Sequence, residues 1–107
     1  MNLDNSTERI ATALADLTKF NTTPGNGVTR FPFTNEAREA SAYLRGLMEE
    51  IGLQVHMDNS GAIIGRLEGQ VPDTVMTGSH LDSVQHGGAY DCIAGLVSSI
   101  EALRIFN

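Results

Sequence analysis

The sequence predicts an α/β domain: a partial mixed sheet with flanking helices, in the order α-α-β-β-β-α. Three observations lead there. Apolar residues recur at helical spacing in three separate segments, β-prone runs gather between the second and third of them, and clusters of Gly, Asp, Asn and Pro punctuate the boundaries. A length of 107 residues suits one small domain.

Taken in order, Ser6 to Phe20 puts Ile10, Leu14 and Leu17 on one helical face, with Asn5 or Ser6 available as the cap. Asn21 to Phe33 holds Pro24, Gly25, Gly27 and Pro32 and reads as a loop, rather long for a mere connector. Thr34 or Asn35 opens the clearest helix. Ala37, Ala40, Tyr43, Leu44, Leu47, Met48 and Ile51 repeat at three and four, Glu36 sits in the first turn, and Gly52 follows where a left-handed cap is expected. Leu53 to Met57 and Ala62 to Leu67 read as strands joined by a hairpin turn, Asp58-Asn59-Ser60-Gly61. Thr74 to Gly78 reads as a short buried strand. A Gly-rich loop, Ser79 to Tyr90, leads to a last helix whose apolar face is Ile93, Leu96, Val97, Ile100 and Leu103. The sequence stops after Ile105-Phe106-Asn107 without a helix-stop signal, so a fragment of a longer protein is expected.

Composition narrows the function. A formal charge of −6, with only seven Lys and Arg, gives no nucleic-acid footprint. The single cysteine, Cys92, excludes an internal disulfide framework and a Cys-rich structural zinc site, and its expected role is that of a small buried filler. The polar start Met1-Asn2-Leu3-Asp4-Asn5 has no signal-peptide pattern, and no apolar run is long enough for a membrane span. A cytoplasmic protein is expected.

The chemistry-bearing stretch is Gly78-Ser79-His80-Leu81-Asp82-Ser83, followed by Gly87-Gly88-Ala89-Tyr90-Asp91. His80 closes the expected buried strand, at the edge where open α/β sheets place ligands, and neutral imidazole is the commonest ligand of zinc-like ions. Asp82, two residues on, falls on the same side and would hold the ring N–H of His80, fixing its tautomer. Asp91 opens the last helix, where amides tolerate an anion, and Gly87-Gly88 lets the loop turn tightly. His-x-Asp alone equally describes a surface histidine beside a turn aspartate; strand, Gly-Gly loop and Asp91 together favour metal chemistry. His86 reads as a solvated loop histidine or a spare ligand, and His56 as the exposed face of a strand. Arg30 could pair with a substrate carboxylate or serve the fold, and Gln85 is a weak candidate for substrate contact.

These residues resemble the metal-binding signature of the M20 metallopeptidase-related amidohydrolases. The nearest branch holds allantoate amidohydrolases, N-carbamoyl-L-amino acid hydrolases and beta-ureidopropionases. Gly27-Val28-Thr29-Arg30, Phe33-Thr34 and Arg38 are similar to that branch's opening, and Asp58 to Ala62 is similar to its Asp-x-x-Gly-Asn hairpin, with Ala62 replacing Asn. The likeness runs from about Leu14 to Phe106. It implies that residues 1–107 are the N-terminal part of a zinc-peptidase-like catalytic domain, with the rest of that domain and a dimerisation domain absent. It implies two divalent ions, zinc or manganese, with His80 ligating one, Asp91 bridging both and Asp82 orienting His80. The implied substrate is a small ureido or carbamoyl compound, the implied assembly a homodimer, with no nucleic-acid or membrane partner.

The general base and further ligands of that family would lie beyond Asn107, and Glu101 does not match the base. An inactive stretch with weak metal binding is therefore expected, and one that self-associates by burying Ile93, Leu96 and Ile100. Cys92 stands where the branch has Gly; the bond before it, typically cis there, is expected to be trans here. An M20 aminoacylase or dipeptidase, and a non-catalytic remnant serving as a binding or structural module, are the rival readings.

Overall fold

The computed structural model describes residues 3–107. Helix α1 (Ser6–Leu17) and helix α2 (Asn35–Glu50) precede a hairpin of β1 (Gln54–Met57) and β2 (Ile63–Arg66), and helix α3 (Ile93–Phe106) closes the chain. Ala13 and Leu17 of α1, Ala40 and Leu44 of α2, Ile51 and Leu53 beyond it, and Ile93, Val97 and Ile100 of α3 form one buried cluster. The periodic positions therefore face inward as their spacing requires.

Local chemistry sets the ends of each helix. Thr34 caps α2, its hydroxyl accepting from the Ala37 amide at 3.2 Å. At the other end Gly52 takes φ +88, which lets the Leu53 amide turn back to the Met48 carbonyl at 3.0 Å. At α1 the expected side-chain cap is missing: Asn5 is left-handed and makes no capping bond, and Ser6 is drawn instead to Glu101, 2.7 Å away. That glutamate is buried on α3 and also accepts from Arg9, with both Nε contacts at 3.1 Å, so a polar clasp ties α1 to α3.

The hairpin has the expected turn. Asp58 accepts from the amides of Ser60 and Ala62 through Oδ1, at 2.9 and 3.0 Å, and Gly61 supplies φ +90. The register pairs Gln54 with Arg66 and Met57 with Ile63, leaving His56 exposed as its alternation predicts. The hairpin lies so close to α2 that a Cβ on Gly65 would come within 2.9 Å of Leu53 and Met48 side-chain atoms.

The third strand does not form. Residues 71–79 make no backbone hydrogen bond to another backbone group among the described residues, and Val75 and Met76 are 98% and 86% exposed. The sheet is thus a two-stranded antiparallel hairpin, and the order is α-α-β-β-α. A buried strand needs a paired neighbour for its amides and carbonyls, and no described segment is aligned to supply one. Two further expectations are corrected. Of the three residues expected to meet another copy, Ile93 and Ile100 are already covered inside the chain and Leu96 is half-buried, and Cys92 is exposed rather than a buried filler. The Asp91–Cys92 bond is trans, and Cys92 itself is left-handed, with φ +60.

Candidate metal centre

The loop from Ser79 to Tyr90 is held by the Pro/Gly loop that precedes α2. Val28 and Gly87 exchange backbone hydrogen bonds at 2.9 and 2.8 Å, and the Ser83 amide donates to the Arg30 carbonyl at 2.8 Å. Gly27, with φ +73, lies so near His86 that a Cβ would come within 2.7 Å of its backbone. The long connector is therefore a clamp on the candidate site, which accounts for its length.

Within the clamped loop, His80 and Asp82 meet. His80 Nδ1 lies 2.8 Å from the Asp82 carbonyl oxygen and 3.3 Å from its carboxylate. A carbonyl oxygen can only accept, so in the neutral imidazole this contact places the proton on Nδ1 and the lone pair on Nε2. His80 is half exposed, which leaves that lone pair open to a ligand. Metal-bound histidines commonly donate their other ring N–H to a carboxylate or carbonyl in this way.

Asp91 does not join them. It precedes Cys92, the residue that caps α3, and its carboxylate lies over Gly88, where a Cβ would come within 2.9 Å of Oδ2. No group of three or more His, Cys, Asp or Glu side chains suited to one ion forms among the described residues. The donor chemistry fits a divalent ion in part: His80 is prepared, and the rest of a coordination shell is not assembled. His86 binds the Asn26 carbonyl through Nδ1 at 2.7 Å and is exposed, with a left-handed backbone. Gln85 is exposed on the same turn.

Arg30 is not a surface residue. It is 1% exposed and donates to the carbonyls of Leu17, Phe20 and Leu81 at 2.9, 2.9 and 3.0 Å, so it cannot reach out to a substrate carboxylate. Burial lowers its pKa, and the negative charge of Asp82 opposes that shift.

His80 and Asp82 open into a cleft of about 600 Å³ between α2, the hairpin turn and the loop. Phe33, Leu44, Met48 and Met57 make its walls largely apolar, and Arg38 brings a cation to it. Arg38 is a feature that the sequence reading did not single out for this site. Its signal was present, since Ala37, Ser41, Leu44 and Met48 fall on one helical face beside it.

The arrangement of helices and hairpin is shared with a class of solved amidases. The structure of a hydantoinase/carbamoylase family amidase from Burkholderia ambifaria matches 94% of this chain with a TM-score of 0.86 and 29% identity, over 25% of its own length. Among curated proteins, the N-carbamoyl-L-amino acid amidohydrolase of Geobacillus stearothermophilus is 41% identical over 102 residues, 94% of this chain and 25% of that protein. The allantoate amidohydrolase of Bacillus subtilis is 38% identical over 90 residues, 82% of this chain and 22% of that protein. No family model matches. The chain is thus a homologue of these amidohydrolases along nearly all of its length and spans about a quarter of the length of the relatives it matches.

Proposed function

We propose that this chain is the metal-ligating stretch of a hydrolase of linear amide and ureido C–N bonds, with an N-carbamoyl-L-amino acid or allantoate-type substrate. The observation that carries the reading is His80: its Nδ1–H is committed to Asp82, and its Nε2 lone pair is open beside the cleft. In this reading His80 and Asp91 would be ligands of two divalent ions, zinc or manganese. Such ions supply Lewis acidity toward the scissile carbonyl and lower the pKa of an attacking water. Asp82 fixes the tautomer and the ring orientation of His80. Gln85 is kept as a weak substrate contact, and Arg30 is withdrawn from that role by its burial.

The wider reading is a cytoplasmic homodimer built from a longer polypeptide. No helix among the described residues is long and apolar enough to cross a membrane. By itself the chain offers at most two ligands and no general base, whereas catalytic zinc has three protein ligands. We therefore expect weak metal binding and no turnover from residues 1–107 alone.

The test is a chimera in which this chain replaces the matching quarter of the Geobacillus stearothermophilus enzyme. Metal-dependent ammonia release from N-carbamoyl-L-amino acids, lost in His80→Ala and reduced about 10–100-fold in Asp82→Asn, is the expected result. A folded, metal-loaded chimera that releases no ammonia would overturn the reading in favour of a non-catalytic module. So would release that is indifferent to His80→Ala.

A further inference from the structure

Arg30 presents an energetic puzzle. A guanidinium at 1% exposure loses nearly all its hydration, yet no carboxylate forms an ion pair with it among the described residues. Unpaired buried charges are rare because the desolvation cost is large unless hydrogen bonds recover it. Here the hydrogen bonds that recover it all come from backbone: the carbonyls of Leu17 and Phe20 at the end of α1, and that of Leu81. Closing α1 would account for the first two bonds, because a cation suits a helix C-terminus. It does not account for the third.

The third bond belongs to a set around Asp82. Arg30 Nε holds the Leu81 carbonyl, on the N-terminal side of Asp82. On the other side, the Arg30 amide donates to Ser83 Oγ at 2.8 Å, and the Arg30 carbonyl accepts from the Ser83 amide at 2.8 Å. Asp82 is therefore gripped by one residue through both of its neighbours. Its own carbonyl then accepts from His80 Nδ1.

We infer that Arg30 is a positioning residue for the proposed metal site, setting the Leu81–Ser83 backbone so that the Asp82 carbonyl holds His80 in the Nδ1–H tautomer. The inference deepens the hydrolase reading and rests on it for its functional meaning. Its physical content needs neither metal nor substrate. A free imidazole favours the Nε2–H form, which would place the proton where a ligand is to bind. Arg30, acting through two peptide groups, reverses that preference. Lysine cannot substitute fully, since one ammonium lacks the planar fork that spans three carbonyls.

The experiment is nitrogen NMR of the intact 107-residue chain, in alkaline buffer where imidazoles are neutral, reading the tautomer ratio of His80. The wild-type chain is expected to show mainly Nδ1–H. Arg30→Gln and Ser83→Ala should each move the ratio toward Nε2–H by about fivefold, the worth of one net hydrogen bond, with Arg30→Lys between. Arg9→Ala, which breaks the clasp between α1 and α3, should lower thermal stability and leave the ratio unchanged. A folded Arg30→Gln that keeps the wild-type ratio overturns the inference, as does an equal shift in Arg9→Ala. If Arg30→Gln does not fold, Ser83→Ala decides, and an unchanged ratio there overturns it. Because no metal or substrate enters, these outcomes are separate from failure of the chimera.

Discussion

Cys92 sits in the left-handed region at φ +60, at the start of α3, with its side chain exposed and making no capping bond. For a residue with a Cβ this conformation costs roughly 1–2 kcal/mol, because the Cβ crowds the following carbonyl. Glycine escapes that crowding but loses more backbone entropy on folding, roughly 0.5–1 kcal/mol. The difference leaves Cys92→Gly more stable by about 0–1.5 kcal/mol, readable as a higher urea midpoint at unchanged slope. A lower midpoint would mean that the thiol makes a contact of value. Gly27 shows the opposite case. Its φ is +73 and its face is pressed on the His86 backbone, so Gly27→Ala has neither the conformation nor the room it needs. A loss of about 1–3 kcal/mol is expected, with the largest NMR shift changes in residues 83–88 rather than in the hairpin.

Among the elements, the α1–α3 clasp gives the fold a pH dependence whose sign follows from Glu101. Hydrogen bonding from Arg9 holds its carboxyl below the usual carboxylate range; burial pushes the other way, and Ser6 and the nearby arginine charges add to the lowering. A depressed folded-state pKa stabilises fully above the unfolded value, about 4.3, and the contribution is lost as pH falls through the folded value. The urea midpoint should fall on acidification below about pH 4.5, and Glu101→Gln should flatten that fall. A variant as acid-sensitive as the parent would place the effect elsewhere. The clasp was not legible in the sequence, since Ser6 and Glu101 are 95 residues apart and only the packing of α1 on α3 joins them. The helices, the Thr34 cap, the Gly52 stop and the hairpin turn were legible because each rests on neighbours within a few residues. Thr74–Gly78 was misread for the converse reason: a β-prone run becomes a strand only when a partner lies alongside. Amides 71–79 should accordingly exchange with solvent far faster than those of α2, and protection equal to that of α2 would show that a partner has been found. At the site, the nearness of His80 and Asp82 was legible from two-residue spacing, but the closer contact is to the Asp82 backbone carbonyl rather than to the expected carboxylate. The burial of Arg30 was not, because it depends on how two loops meet.

The whole molecule is a slab of 45 × 35 × 18 Å, about as thick as one helix layer laid on one sheet layer. Its accessible surface is 7029 Å², whereas a folded monomer of 11.5 kDa typically exposes about 5800 Å². The excess includes an apolar share, with Val71, Val75 and Met76 between 65% and 98% exposed. The core that must hold this shape is correspondingly thin, and α2 contributes only Ala40 and Leu44 to its fully buried part. Small domains are marginal when their buried fraction is low, so stability near the bottom of the usual ~5–15 kcal/mol range is expected. Leu44 is 1% exposed, lies in the central cluster and forms part of the floor of the cleft. Leu44→Ala removes its packing against a cavity already open on one side, and such truncations cost about 2–5 kcal/mol. In a protein of larger core that loss would lower the melting temperature and leave the native state populated. In this slab it should consume most of the available stability, so that Leu44→Ala loses the dispersed amide spectrum of the parent at 25 °C. Retention of a native spectrum would show that the chain holds a reserve beyond what the ten buried apolar residues among those described suggest.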